Sequence, residues 1–332
     1  MRKLYDKVMR RAKKKPTLPT RITNDTVAEH REQVLAGGRK HKYPLQYAKN
    51  RLVRNALIIS VAVLALLILG VWLQLYIFRD TSDIAYRMTR LIPLPVASVD
   101  GAPVRYSDYL MIHRSNMTVL AHRGQQHAAD KVAFQRQRSM ELAVENAYAE
   151  KLAKERGIAI DRERVDALIE QQRKERNLSE AAYAAAIKDQ LGWSLDEARH
   201  ALSSSLLKQE VSFAVDTAAL NLATTIEANL KSGQSMDAIA KQHEGAVQYV
   251  PPVTVAKNNA DGGLTAQAAK LSPGATSGIV KTTAGDGYYF IHLDSASGES
   301  VTYRYIHIKL SQFKQQVESL KADKKIRHFI TL

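Results

Sequence analysis

The chain has 332 residues, 48 Lys and Arg against 33 Asp and Glu, and a net charge of +15. It contains no Cys, which excludes disulfides, thiolate nucleophiles and Cys-ligated metal sites. The charge is uneven: residues 1–54 hold 16 basic and 4 acidic residues, a net +12, and the rest of the chain is close to balanced at +3.

That basic segment is predicted to be a largely disordered cytoplasmic tail. RRAKKKPTLPTR and AGGRKHKYP mix positive charge with Pro and Gly, and only VAEHREQVL has the makings of a short helix. Such a tail suits anionic lipid headgroups. It has few aromatics and carries no nucleic-acid motif, so no specific nucleic-acid partner is expected.

The tail stops at ALIISVAVLALLILGVWLQLYIF, residues 56–78, which contains no charge and whose one strongly polar residue is Gln74. About 20 apolar residues cross a bilayer as a helix. A core helix rarely runs this long without a polar face. The run also exceeds the h-region of a signal peptide, roughly 7–15 residues. A transmembrane helix over 55–79 is therefore expected, with Trp72 and Tyr76 near its far end as interfacial aromatics. Arg51 and Arg54 abut one side, and Arg79, Asp80 and Asp83 the other. The positive-inside rule then puts the N-terminus in the cytoplasm and the rest outside.

Residues 80–95 read as a linker ending in LIPLP. VASVDGAPVRYSDYL reads as strand, Asp-Gly turn, strand and helix start, with Ser107 as N-cap. A helix over 130–156 carries Phe134, Met140, Val144, Ala147, Tyr148 and Leu152 at near-helical spacing and ends at Gly157. Asp161 and Ser179 are expected to cap the next two helices. Ser194 and Glu197 form a capping box before a helix running to about Phe213. Helices over 216–231 and 235–243 follow, then short strands and turns over 246–294. The strands GYYFIHLD and VTYRYIHIKL are joined by SASGES, and 311–332 reads as a basic helix. The fold class is α+β.

VASVDGAPVRYSDYL, ENAYAEKLAKERGIAIDRERVDALIEQQ and LSEAAYAAAIKDQLGWSLDEARHALSSSLLKQEV together resemble the N-terminal chaperone domain of SurA-like and PrsA-like foldases, over about 96–215. LATTIEANLKSGQSMDAIAKQH and DGGLTAQAAKLSPGATSGIVKTTAGDGYYFIHL are similar to a parvulin-type peptidyl-prolyl isomerase domain, here 216–310. The resemblance implies a mostly helical chaperone domain, then a small antiparallel sheet with helices.

Two departures stand out. The opening strand of the parvulin domain is missing before its first helix, and YRYIHIKL, the closest match, comes after its end. In that family the opening and closing strands lie side by side. VTYRYIHIKL is thus either a permuted replacement or an extra edge strand. The family's two facing histidines match Tyr289 and Tyr305, so these are the degenerate catalytic positions that the resemblance implies. His292 is expected to face away from Tyr289. His307 is expected to share the face of Tyr305 one step along, and both histidines read as structural or surface residues. Leu264, Leu271, Phe290 and His307 are the expected peptide contacts.

Prolyl isomerisation needs neither metal nor cofactor, and none is expected. Its barrier is the amide's partial double bond, about 18–20 kcal/mol, and a catalyst must favour the twisted amide. Tyr can donate and accept a hydrogen bond, so activity is not abolished by necessity. The reading taken forward is a membrane-anchored extracytoplasmic chaperone for unfolded or newly exported polypeptides, with weak or absent isomerase activity. An active parvulin-type isomerase and a non-catalytic envelope scaffold are the alternatives.

Overall fold

The computed structural model describes residues 22–42, 44–282 and 285–331, with residues 39–51 described by backbone alone. The chain divides into two units between Leu73 and Gln74.

In the first unit, α1 spans Asn24–Lys42 and α2 spans Pro44–Trp72. Residues 1–21 and 43, part of the tail expected to be disordered, lie outside the described residues; Asn24–Lys42 and the chain from Pro44 on are helical. Gly37 and Gly38 both fall inside α1. Each costs a helix only about 1 kcal/mol against Ala, and the charged, unbranched neighbours are good helix formers. α2 runs on through a π-helical turn, Leu73–Ile77. The stretch Leu52–Ile77 is long and apolar enough to cross a membrane.

The second unit opens where a linker was expected. Residues Asp83–Leu91 form α3, capped by Ser82, whose side chain accepts from the Ala85 N–H. Ala85, Tyr86 and Thr89 are its buried face. A short amphipathic helix hides easily in a sequence read as a linker, because its buried stripe is only three residues wide. The strands β1 (Pro95–Val99) and β2 (Ala102–Arg105) then pair antiparallel. Asp100 and Gly101 both take positive φ, 45° and 83°, as a tight hairpin turn requires.

Five helices follow: α4 (Tyr106–His122), α5 (Ala129–Arg156), α6 (Arg162–Glu175), α7 (Glu180–Leu191) and α8 (Leu195–Val215). The Ser179 cap and the Ser194–Glu197 capping box are present. Ser107 is not the cap of α4, which starts one residue earlier with Arg105 at the cap position. Asp161 sits at the N-cap of α6 but makes no side-chain cap bond. Phe134, placed on the apolar stripe by spacing, is exposed on α5.

The rest of the unit comprises α9 (Thr217–Lys231), α10 (Met236–Gln242), β3 (Gln248–Ala256), α11 (Leu264–Ala268), β4 (Val280–Lys281), β5 (Gly287–Ser297), β6 (Ser300–Lys309), α12 (Gln312–Ala322) and β7 (Ile326–His328). Four strands pair in the order β3-β6-β5-β4, all antiparallel. β3 is an edge strand, and Pro251 and Pro252 fall at its register shift between Val250 and Val253. Prolines are tolerated in sheets at such places. The β5–β6 connection is shorter than the six residues SASGES, since the strands extend to Ser297 and Ser300.

The sheet is buried on both faces. Tyr288, Phe290, Ile306 and Ile308 pack on one side with Phe213 of α8, Ala223 and Ile226 of α9, and Ile239 of α10. Tyr289, Ile291, Leu293, Val301 and Tyr303 point to the other side, under Leu264 and Ala268 of α11. The period-2 alternation of side chains along a strand produces this division.

The C-terminal segment is not one basic helix. In α12, Phe313, Val317 and Leu320 form a buried stripe at i, i+4 and i+7. Phe313 meets Tyr148 of α5, with ring centroids 5.8 Å apart. β7 then adds to the free side of β1, giving a second sheet in the order β2-β1-β7. Asp216, almost fully buried, joins the pieces. Its carboxylate accepts from the Ala219 N–H at the start of α9, and from the Ser311 and Gln312 N–H groups at the start of α12.

Candidate functional site

The first candidate is the aromatic face of β5 and β6. The register sets Tyr289 opposite His307 and Ile291 opposite Tyr305. Tyr289 and Tyr305 are therefore diagonal neighbours, with ring centroids 5.7 Å apart. The residue that faces Tyr289 directly is His307, stacked at 4.2 Å. His307 lies on the face of Tyr305, as expected, and is buried there rather than at the surface; its stacking on Tyr289 was not anticipated. His292 lies on the opposite side of β5 from Tyr289, where its Nδ1 meets the Thr276 hydroxyl at 2.8 Å.

The other expected contacts separate. Leu264 and Leu271 pack on the Tyr289 side of the sheet. Phe290 does not: it is fully buried on the far face against α9 and α10, so it cannot touch a ligand beside Tyr289.

Two carboxylates that sequence reasoning missed organise this face. Asp286 accepts from the Tyr289 hydroxyl at 2.7 Å, and its carboxylate is 3.7 Å from His307 Nε2. Asp261 accepts from the Tyr303 hydroxyl at 2.7 Å, and from the hydroxyl and N–H of Thr265. The signal was there: each Asp directly precedes a Gly, at Asp286-Gly287 and Asp261-Gly262, at the mouth of an element.

Burial, then the neighbouring carboxylate, pushes the Tyr289 hydroxyl up. Tyr303 is pushed up to about 12, first by burial and also by Asp261. Burial pushes Asp261 up as well, but the hydrogen bonds from Thr265 and Tyr303 outweigh it and leave the carboxyl below its usual range. Burial drives His307 down despite Asp286, so its imidazole is neutral at pH 7. The face therefore offers neutral donors and ring surfaces, with the half-exposed Asp286 carboxylate at its edge.

The second candidate is a cleft of about 390 Å³ between α5, α12 and β7. Met140, Val144 and Val317 floor it, with Ile326 of β7 beside them, and Glu141, Glu145 and Lys321 rim it. β7 is an edge of its sheet, so one side of its backbone is unpaired within that sheet. A third cavity of about 280 Å³, between α3, α4 and α8, is polar. Its groups are engaged with one another: His200 Nε2 contacts Asp108 at 3.2 Å, and Glu197 serves the capping box and lies 3.6 Å from Arg114.

No family model matches the chain, and no curated protein matches it.

Proposed function

We propose that the protein is a single-pass, membrane-anchored foldase of the chaperone kind. Residues 1–54 are cytoplasmic, and the region after the span is extracytoplasmic. It binds unfolded or newly exported polypeptide and accelerates prolyl isomerisation weakly or not at all. The observation that carries this reading is the apolar-floored cleft along an open edge strand. An extended polypeptide can pair with the free side of β7 through its backbone while alternate side chains enter the cleft. Backbone pairing with shallow apolar contact is tolerant of sequence, as a chaperone requires.

The sheet supports the parvulin resemblance in one respect. β6 lies beside β5, in the slot that the missing opening strand would take. The weak-isomerase part rests on access: Tyr289 is 5% exposed and His307 8%. Buried rings are poorly placed to meet a twisting amide. The rival, a competent isomerase, draws on the same pair, because Asp286 bonds to Tyr289 and lies 3.7 Å from His307 Nε2.

The test is suppression of aggregation. The full chain in lipid nanodiscs is mixed with a thermally unfolded client, and light scattering is followed. Near-stoichiometric protection is expected. Ile326→Glu, at the cleft, should weaken it several-fold, and Leu220→Glu, an exposed site on α9, should leave it intact. No protection by the parent protein would contradict the proposal.

A further inference from the structure

From Gln74 onward, the exposed large apolar residues among the described residues are Ile77, Phe78, Ile84, Leu91, Ile92, Phe134, Leu220 and Phe329. Five of the eight fall within the short stretch 77–92. Ile84 is 67% exposed and Leu91 85%. On α3 they share a face with Arg87, opposite the buried Ala85, Tyr86 and Thr89. Phe329 joins the group through the C-terminal segment, since its N–H bonds to the Val96 carbonyl and Arg79 donates to the Thr331 carbonyl.

The last turn of the apolar stretch is itself part of this fold. Leu75 is buried, and its carbonyl accepts from the Tyr106 hydroxyl at 2.8 Å. The Tyr76 hydroxyl donates to the Pro95 carbonyl at 2.7 Å. Five residues, Phe78–Ser82, separate this turn from α3, and they can span at most roughly 18 Å. Wherever the end of the stretch lies, α3 is within that reach, because the turn is tethered by two hydrogen bonds to the same framework.

We infer that α3 and its neighbours form an interfacial collar that rests on the outer leaflet of the bilayer. Ile84, Leu91 and Ile92 enter the boundary between headgroups and acyl chains, and Arg79 and Arg87 meet lipid phosphates. A helix with one apolar–basic face and one core-packed face is suited to that plane. The charges favour lipid over a second copy of the chain. Asp80 is turned to Ser82 and Gln74, and Asp83 to Arg114. A self-association across this face would therefore set arginines against arginines. The inference rests on the proposal that Leu52–Ile77 spans the membrane, and it adds that α3 and its neighbours lie in the bilayer interface. Clients would then meet the protein at the membrane surface.

The absence of Cys makes the test clean. Single-Cys variants Ile84→Cys, Leu91→Cys, Leu220→Cys and Leu64→Cys of the full chain are spin-labelled and reconstituted into vesicles of phosphatidylcholine with 30% phosphatidylglycerol. Accessibility to oxygen and to a water-soluble nickel chelate is then compared. Labels at 84 and 91 should favour oxygen, the label at 220 should favour nickel, and the label at 64 should favour oxygen most. Aqueous accessibility at 84 and 91 with a membrane-buried 64 overturns the collar and leaves the span standing. An aqueous 64 overturns the span, and the collar with it. Close label–label broadening at 91 between copies would show that a second chain, not lipid, covers the face, and would also overturn the inference.

Discussion

His307 lies flat against Tyr289 across β5 and β6, with ring centroids 4.2 Å apart and planes 4° from parallel. The Tyr289 hydroxyl is held by Asp286, whose side chain is about half exposed. The stack and the hydrogen bond therefore differ in value. Tyr289→Phe removes one bond to a carboxylate that water can solvate, a cost of about 1 kcal/mol or less. His307→Ala removes a buried ring and leaves a cavity, a cost of about 2 kcal/mol or more. Urea unfolding of both variants checks the order, and the reverse order would mean that the hydrogen bond governs the site.

Gly287, at the start of β5, is required by the same contact. A Cβ there would overlap the Ile308 carbonyl oxygen and the His307 ring. The carbonyl belongs to the sheet ladder and cannot move aside. Gly287→Ala should thus destabilise the protein by roughly 2 kcal/mol or more, as overpacking does, and should perturb the Tyr289 and His307 ring signals in NMR. A neutral result would show that β5 and β6 sit farther apart.

These relationships mark where the sequence was legible. The alternation in GYYFIHL and YRYIHIKL placed two antiparallel strands and brought Tyr305 near Tyr289. The Asp-Gly turn, the capping box and the charge-free stretch each rest on local chemistry, and each reads directly from adjacent residues. The register does not. The strands run on through most of the expected six-residue loop, and a register shift between Leu293 and Ser295 sets His307, expected only on the face of Tyr305, directly opposite Tyr289. Phe290 was misplaced because both faces of the sheet are buried, so hydrophobicity alone could not assign a side. The strand β7 and the cleft it borders depend on pairing between Val99 and Ile326, and nothing local in KKIRHF announces that. Helix α3 was lost in a segment read as a linker because its partners, on α4, lie further along the chain.

The buried Leu75 sets where a soluble fragment can begin. A fragment starting at residue 80 discards Leu75 and the bond from the Tyr106 hydroxyl to its carbonyl. Burying a Leu contributes about 1.5–3 kcal/mol. For a unit of this size each kcal/mol shifts Tm by about 2–4 °C. Residues 74–332 should therefore melt several degrees above residues 80–332 by differential scanning fluorimetry. Equal melting temperatures would contradict the docking of that turn.

Acid should weaken the helical part through His113. It is buried on α4, stacked on Tyr109, and lowered to about 4 by burial and then by Arg136. Its ordinary value is 6.5, so below that pH the unfolded chain takes a proton that the folded chain refuses. Stability is full above pH 6.5 and falls as pH drops toward 4, by on the order of 2–3 kcal/mol between pH 7 and 4.5. His200, raised by its bond to Asp108, acts with the opposite sign: its contribution is present at low pH and lost as pH rises. Urea unfolding at pH 7 and 4.5 should show a smaller acid loss in His113→Leu than in the parent. Equal losses would place the acid sensitivity elsewhere.

The central claim is that the protein binds extended polypeptide without being an efficient prolyl isomerase, and one paired measurement tests it most directly. The full chain in nanodiscs is assayed with a proline-containing peptide for binding, by fluorescence anisotropy, and for cis–trans exchange, by NMR. Uncatalysed exchange takes roughly 10–100 s at 25 °C, slow enough to reveal modest catalysis. The account predicts measurable binding with exchange accelerated little or not at all, and binding that survives in the Tyr289→Phe, Tyr305→Phe double variant. Strong acceleration by the parent that collapses in that variant would contradict it and establish the tyrosine face as a working isomerase site.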